Sequence, residues 1–410
     1  MPISSVRRAV ITGCGVVSPL GNSVAAFCDG LLAGRSALAA IEGFDTSGLS
    51  VAAGGEVRDF DASEFLTDVE VRRLERIDQF ALFAARAALA DAGLDFDRTN
   101  DSNVGVIAGT TIGGMLAGEA YLAARYDGAA TFEISRLLDF PYYALATNLA
   151  RHLDVRGPVL SPSIACASGT QAIGMALEMI RAGHADVFVV GGAETLCRFV
   201  QSGFNCLRAT TTETVRPFDA RRSGLLMGEG AAMLVVEELD HARARRVRCD
   251  VEVAGTGLAG DATHMTAPAR DGSGAARAIR AALHDAGIAP EAIDFISAHG
   301  TGTIYNDAME VAAIASVFGE AAALIPVNSI KGSIGHTLGA AGSFEAIMCV
   351  DVLRHSRIPP TVGCEQVDSA CPLDIVRDAT RRLEVRAALS TSSAFAGNNA
   401  SIVLRRVGDA

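Results

Sequence analysis

The chain has 410 residues, of which 50% are hydrophobic and 20% charged, so it can bury a large core and is not a disordered chain. Its formal net charge is −12, from 35 basic and 47 acidic residues, which excludes nucleic-acid or membrane-surface binding by bulk electrostatics. No uncharged apolar run of about 18 residues is present to cross a bilayer. The start of the chain lacks the long apolar core of a secretory signal, so a cytoplasmic enzyme is expected.

In chain order, short Val- and Ile-rich runs predict strands at Ala9–Thr12, Val104–Ala108, Asp186–Val190, Ala232–Val236, Val251–Ala254, Phe295–Ala298 and Ser401–Leu404. Ala-rich stretches between them predict helices at Gln79–Ala92, Gly169–Ala182, Gly274–Ala286, Asp307–Phe318 and Ala340–Leu353. Alternating strands and helices point to a layered α/β fold. No Pro- or Ser-rich linker divides the chain.

The sequence echoes itself. RAALADAG at 86–93 returns as RAALHDAG at 280–287, an offset of 280 − 86 = 194 residues. Each is followed by an apolar strand and Gly-Thr, VGVIAGT at 104–110 and FISAHGT at 295–301. A fainter pair is SIACASGTQAIG at 163–174 and SIKGSIGHTLGAAG at 329–342. Two similar halves joined in one chain explain this pattern, with a site near their shared axis. The halves are taken as 1–250 and 251–410.

The nine cysteines form no CxxC pair and no metal-like spacing, which implies reduced thiols and no metal site. Cys166 stands at a strand-to-helix turn among small residues, where the helix start is expected to lower its pKa and favour the thiolate. His299 and His336 each follow a strand at a Gly-flanked turn. The other histidines lack this setting, although His264 lies in a loop worth noting. Lysine occurs once, at Lys331, so 34 of the 35 basic residues are Arg. A compact ammonium differs from a planar guanidinium, and a lone Lys in an Arg-rich chain marks a place where Arg does not serve. The Gly runs GTTIGG and GTGLAG fit neither a P-loop nor a dinucleotide fingerprint, so no nucleotide cofactor is expected.

Cys166 in its small-residue turn, His299 in HGTGT, Lys331 and His336 in KGSIGH and Phe395 in AFAGNN together resemble the elongating β-ketoacyl-acyl-carrier-protein synthases. VGGAET at 190–195, RPFD at 216–219, MGEGAAMLVVEE at 227–238 and HMTAP at 264–268 extend the likeness over nearly the whole chain. The resemblance implies a thiolase fold, two similar α/β halves stacked as five α-β-α-β-α layers. It implies decarboxylative Claisen condensation with malonyl-acyl-carrier-protein, the acyl chain held on Cys166 and no cofactor beyond the carrier's phosphopantetheine.

The same resemblance makes His299 and His336 donors to the malonyl thioester oxygen, with Lys331 tuning the field around His336 and Glu345 holding Lys331. Phe395 is implied as the gate and, with Cys166, as an oxyanion N–H donor. Thr301 and Thr303 would contact pantetheine, and Phe204 would wall the acyl pocket. An acidic carrier needs a basic patch, expected at Arg72, Arg73 and Arg76, with Arg125 and Arg208 adding to it. A homodimer, or a heterodimer with a chain-length-factor homologue, is expected, pairing through an edge strand near Asp186–Val190.

The chain departs from the fatty-acid enzymes at the gate, where Ala394-Phe395-Ala396-Gly397 replaces Gly-Phe-Gly-Gly. Thr210–Val215, taken as the second gating loop, is shorter. These changes point toward a type II polyketide or polyene pathway rather than housekeeping fatty-acid elongation. A thiolase would need a second catalytic Cys, and only Cys364 and Cys371 lie late in the chain. The Cys-His-Asn synthases would need Asn in place of His336. A non-catalytic partner subunit normally lacks the Cys.

Overall fold

The computed structural model describes residues 7–94, 103–126, 128 and 132–408. Eleven strands form the main sheet: β1 (Ala9–Val17), β2 (Val104–Gly109), β3 (Val159–Leu160), β4 (Val187–Glu194), β5 (Gly230–Glu238), β6 (Val251–Gly260), β7 (Phe295–Ser297), β8 (Pro326–Asn328), β9 (Asp374–Ile375), β10 (Ala387–Ala394) and β11 (Asn398–Arg406). Their spatial order is β9-β8-β7-β10-β11-β6-β1-β5-β4-β2-β3. The first half of the chain runs β3-β2-β4-β5-β1, and the second runs β8-β7-β10-β11-β6, with β9 added outside. Numbered within each half, both orders are 3-2-4-5-1. The halves meet where β1 and β6 pair antiparallel over only three residue pairs, Ala9–Ile11 with Val251–Val253.

Helices fill three layers. Helices α1 (Arg76–Asp91), α2 (Met115–Tyr126) and α3 (Tyr143–His152) belong to the first half. Helix α4 (Ser168–Arg181) is followed by α5 (Arg198–Cys206). In the second half lie α6 (Ser273–Ala286), α7 (Ile304–Phe318) and α8 (Ala341–His355). Helices α1 and α3 cover one half-sheet from outside, and α6 and α7 cover the other. Helices α4 and α8 pack on each other between the two half-sheets. Nearly every residue of α8 is buried, as an inner layer demands.

The sequence echo has a physical cause. Strand β1 carries Gly13 and Gly15 against Ala84, Ala88 and Ala92 of α1 and its cap. A Cβ on Gly13 would lie 2.0 Å from the Ala88 oxygen, and one on Gly15 would lie 1.9 Å from the Ala84 oxygen. In the second half, Gly255 and Gly257 of β6 meet Ala278, Ala282 and Ala286 of α6 in the same way. Bare backbone on the strand and methyl groups every fourth residue on the helix let the two approach closely.

Every predicted strand and helix is present. The edge-strand expectation is wrong. Strand β4 lies inside the sheet between β5 and β2, and all eight of its residues are buried. An unbroken apolar run needs cover on both faces and neighbours on both sides. The free edge of this half is β3, with Val159 exposed. Exposed Ile134, Leu138, Phe140, Tyr142 and Tyr143 lie in the segment before it. Strand β10, AALSTSSA, was not predicted because it lacks the apolar signal, although seven of its eight residues are buried.

Gly257→Ala is expected to cost about 1–3 kcal/mol by forcing β6 and α6 apart. Gly260→Ala, on the same strand with nothing within 4 Å, serves as the control. Urea midpoints of the two variants check this.

Burial pushes the Asp78 carboxyl up to about 8, with the charge of Asp139 adding to it, and burial pushes Glu75 up to about 7. Both hold their protons more tightly folded than unfolded. Their contribution to stability is therefore fully present below the ordinary carboxylate range and is lost as pH rises through 7 and 8. The urea midpoint should fall between about pH 5 and pH 8, and Asp78→Asn should flatten that fall.

Candidate active site

Cys166, His299 and His336 open into one cavity of about 310 Å³, also lined by Phe204, Arg208, Thr301, Thr303 and Phe395. Each reaches it from the end of a strand. Cys166 lies in the turn between β3 and α4. Ala165 takes φ +53° there, and the Ser168 hydroxyl clips the turn, accepting from Ile164 N (2.9 Å) and donating to Ala165 O (2.6 Å). His299 follows β7. His336 follows β8 through one helical turn, Lys331–Ile334. Phe395 follows β10. Strands β8, β7 and β10 are mutually parallel, so their ends deliver these side chains to one side of the sheet.

The imidazoles of His299 and His336 meet edge to face, with centroids 5.0 Å apart. Burial and the charge of Lys331 hold both well below the usual histidine pKa, and for His299 the neighbouring His336 adds to this. Each ring is therefore neutral and can donate one N–H. Behind them Lys331 and Glu345 form an ion pair at 2.5 Å, both about 1% exposed. Burial pushes Glu345 up to about 7 against the pull of Lys331.

The expected thiolate is not the resting form of Cys166. Burial pushes its thiol up to about 12, and the opposing pull of Lys331 does not offset it. Desolvation of the thiol sulfur in the fold outweighs the nearby cation.

Two acids on α7, absent from the sequence reading, hold the HGTGT loop. Glu310 accepts from His299 N (2.6 Å), Gly300 N (2.8 Å) and the Thr391 hydroxyl (2.7 Å). Asp307 accepts from Thr301 N (3.0 Å), Gly302 N (3.2 Å) and Phe218 N (2.8 Å). Their signal was present: two acids three apart, in NDAME, in a helix with a buried face. Glu194, at the end of β4, accepts from Thr111 N, from the Thr110 hydroxyl and from Gly339 N, tying the halves together.

The Thr301 and Thr303 hydroxyls are 2.9 Å apart. The Phe204 and Phe395 rings stack at 5.5 Å and 19°. In the gate loop Ala396 takes φ +62°, and its N–H donates to Met265 O (2.7 Å). Asp261 N donates to Gly397 O (2.8 Å), and the Asp261 carboxylate accepts from the Asn399 amide (2.8 Å). The segment bonded to the gate is thus 261–269. Thr210–Val215 does not play that part; it bonds to 223–225 through Thr211, Ser223 and Leu225. His264 shapes the 261–269 segment, its Nδ1 accepting from Thr266 N and Ala267 N.

Arg208 lines the mouth, and Arg72, Arg73 and Arg125 are exposed. Arg76 is turned inward. It pairs with buried Glu229 at 2.8 Å and covers the Phe80 ring at 4.4 Å, so it does not belong to an open basic patch. Cys364 and Cys371 lie in a separate apolar cluster. Among the described residues no group of three or more His, Cys, Asp or Glu is arranged to hold a metal, and no helix is long and apolar enough to cross a membrane.

Two repeated half-folds, with a site where their inner helices begin, define the thiolase fold. Within that class, the models of the β-ketoacyl synthase N-terminal and C-terminal domains match residues 6–242 and 251–365, and the chain belongs to the β-ketoacyl synthase family of condensing acyltransferases. It is 39% identical to 3-oxoacyl-[acyl-carrier-protein] synthase 2 of Coxiella burnetii, over 98% of this chain and 99% of the relative. The solved ishigamide ketosynthase/chain length factor aligns at 40% identity and TM-score 0.94, over 98% of this chain and 100% of that one. A type II polyketide ketosynthase solved with its acyl-carrier protein aligns at 32% identity and TM-score 0.89, over 98% and 100%.

Alanine at φ +62° is strained by about 1 kcal/mol relative to glycine. Ala396→Gly should leave the unfolding free energy from urea titration within about 0.5 kcal/mol of the wild type, because glycine's greater freedom in the unfolded chain offsets the relief. Amide exchange across 394–397 should quicken several-fold, and unchanged exchange would show that the methyl group does not restrain the loop.

Proposed function

We propose that the chain extends an acyl chain by decarboxylative Claisen condensation with malonyl-acyl-carrier-protein, releasing CO2 and a 3-oxoacyl-carrier-protein. The observation that carries this reading is a thiol and two neutral, touching imidazoles in one cavity, backed by a buried Lys–Glu pair.

In the first half-reaction the Cys166 sulfur attacks the carrier-borne thioester. The acyl group moves to Cys166, and the thiol proton leaves with the pantetheine sulfur. The backbone N–H groups of Cys166 and Phe395 receive the oxyanion. In the second, the malonyl arm enters along Thr301 and Thr303. His299 and His336 donate to its thioester oxygen as CO2 leaves and the enolate forms. One such preorganised donor is typically worth about 3 kcal/mol of barrier. The enolate carbon then attacks the acyl-Cys166 carbonyl, and the Cys166 sulfur departs and takes up a proton from solvent to restore the thiol. Imidazolium would hold its protons no better placed and would cost more to bury, so the depressed histidine pKa values serve the step. Burial supplies most of that depression, Lys331 adds to it, and Glu345 fixes Lys331.

The chain acts in the cytoplasm, its N-terminal half (1–250) supplying the nucleophile and its C-terminal half (251–410) the His-Lys-His set. Arg72, Arg73 and Arg208 offer charge to an acidic carrier. The β3 edge and its exposed apolar neighbours suit a second subunit, either another copy or a chain-length-factor homologue. The Ala-Phe-Ala-Gly gate and the likeness to the ishigamide ketosynthase/chain length factor favour a polyketide or polyene pathway over housekeeping fatty-acid elongation. Cys166 in the cavity argues against a non-catalytic partner subunit.

Intact-protein mass spectrometry after incubation with carriers bearing saturated, unsaturated and 3-oxo chains tests the reading. The expected result is a mass gain equal to one acyl group, largest for one chain type and absent in Cys166→Ala. The same gain in Cys166→Ala, or none from any carrier with or without a partner homologue, would overturn it.

A further inference from the structure

Resting on that reading, we propose that Glu119 is a positioning residue for the acyl gate, acting through α5 and Phe204. Helix α5 has only a thiol at its N-cap, since Cys197 makes no regular capping bond and its sulfur is a weak acceptor toward Val200 N. The N–H groups of that turn need acceptors from elsewhere. Glu119 reaches across from α2 and accepts from Phe199 N. Its negative charge also suits the positive end of the helix. The Cys197 thiol faces the same carboxylate; burial first, then the Glu119 charge, keeps it protonated and able to donate.

The other tethers of α5 come from a different side. Arg198 donates to Asp45 O and Ser47 O, Gln201 to Val51 O (2.9 Å), and Asn205 to Val51 O (3.2 Å). All three hold the helix to the 45–51 segment. Glu119 holds it to α2, whose first residues, Met115 and Leu116, pack on the cluster containing Cys166, Leu196, Cys197 and Val200. The helix is nine residues long and stiff, and near its far end it carries Phe204, stacked on the gate ring of Phe395. Losing the anchor at the first turn lets α5 shift, and the face of Phe204 that meets Phe395 shifts with it.

A double-mutant cycle on acyl loading of Cys166, followed by intact mass, tests this. Glu119→Ala should slow loading about fivefold, the size of a lost helix cap. Glu119→Gln should load near the wild-type rate, because its amide oxygen can accept from the same N–H. Glu119→Ala combined with Phe204→Ala should be no slower than Phe204→Ala alone, since the two act in series. If Glu119→Ala does not fold, Glu119→Asp, one methylene short of Phe199, takes its place. Additive effects in the cycle, or wild-type loading by Glu119→Ala, would overturn the proposal. A wild-type chain that never loads Cys166 would overturn the functional reading and this inference together.

Discussion

The two inner helices touch backbone to backbone at their first turns, and the site depends on that contact. A Cβ on Gly169 would lie 2.5 Å from the Ser343 hydroxyl and 2.8 Å from Gly339 O; one on Gly342 would lie 1.9 Å from the Thr170 hydroxyl. The glycines occupy equivalent places at the starts of α4 and α8, so the helices come close at their beginnings. The turns before them carry Cys166 and His336, and these therefore open into the same space. Thr170, beside Gly169, also bonds Ser392 of β10 at 2.7 Å, which fixes the strand leading to Phe395.

One low-dielectric environment accounts for the protonation states around the cavity. Burial lowers the histidines, raises Cys166 and raises Glu345, each toward its uncharged form. Lys331 pushes the other way on Cys166 and Glu345 and the same way on the histidines. A buried cation without a partner would be costly, so Glu345 is as necessary to the site as Lys331. Burial raises the carboxyls of Glu310 and Asp307 as well, opposed by the backbone N–H groups they hold in the HGTGT loop.

Much of this was legible in the residues. The alternation of apolar runs and Ala-rich stretches gave the layers, and the RAALxDAG echo gave the two halves, because close helix–strand packing leaves a repeated mark. Cys166, His299 and His336 stood out because each sits at a small-residue turn. Other features were not legible, for physical reasons. Strand β10 is Ser- and Thr-rich, and its burial comes from neighbours distant in sequence. Nothing local says whether β4 is central or at an edge. Arg76 looks like a surface charge until Glu229, 153 residues away, is seen beside it. The Cys166 thiol was misjudged because a helix start is a local feature, whereas desolvation is set by the whole fold.

The chain's single lysine has a consequence beyond the site. Every other basic side chain is Arg, and Lys331 is buried to about 1% exposure. The folded surface therefore offers no lysine amine to acylating reagents or to lysine-modifying enzymes. Isotope labelling at lysine would place a single reporter in the protein, at the ion pair behind the two histidines. A spectrum that elsewhere would be crowded would here contain one side-chain signal, read directly from the catalytic interior.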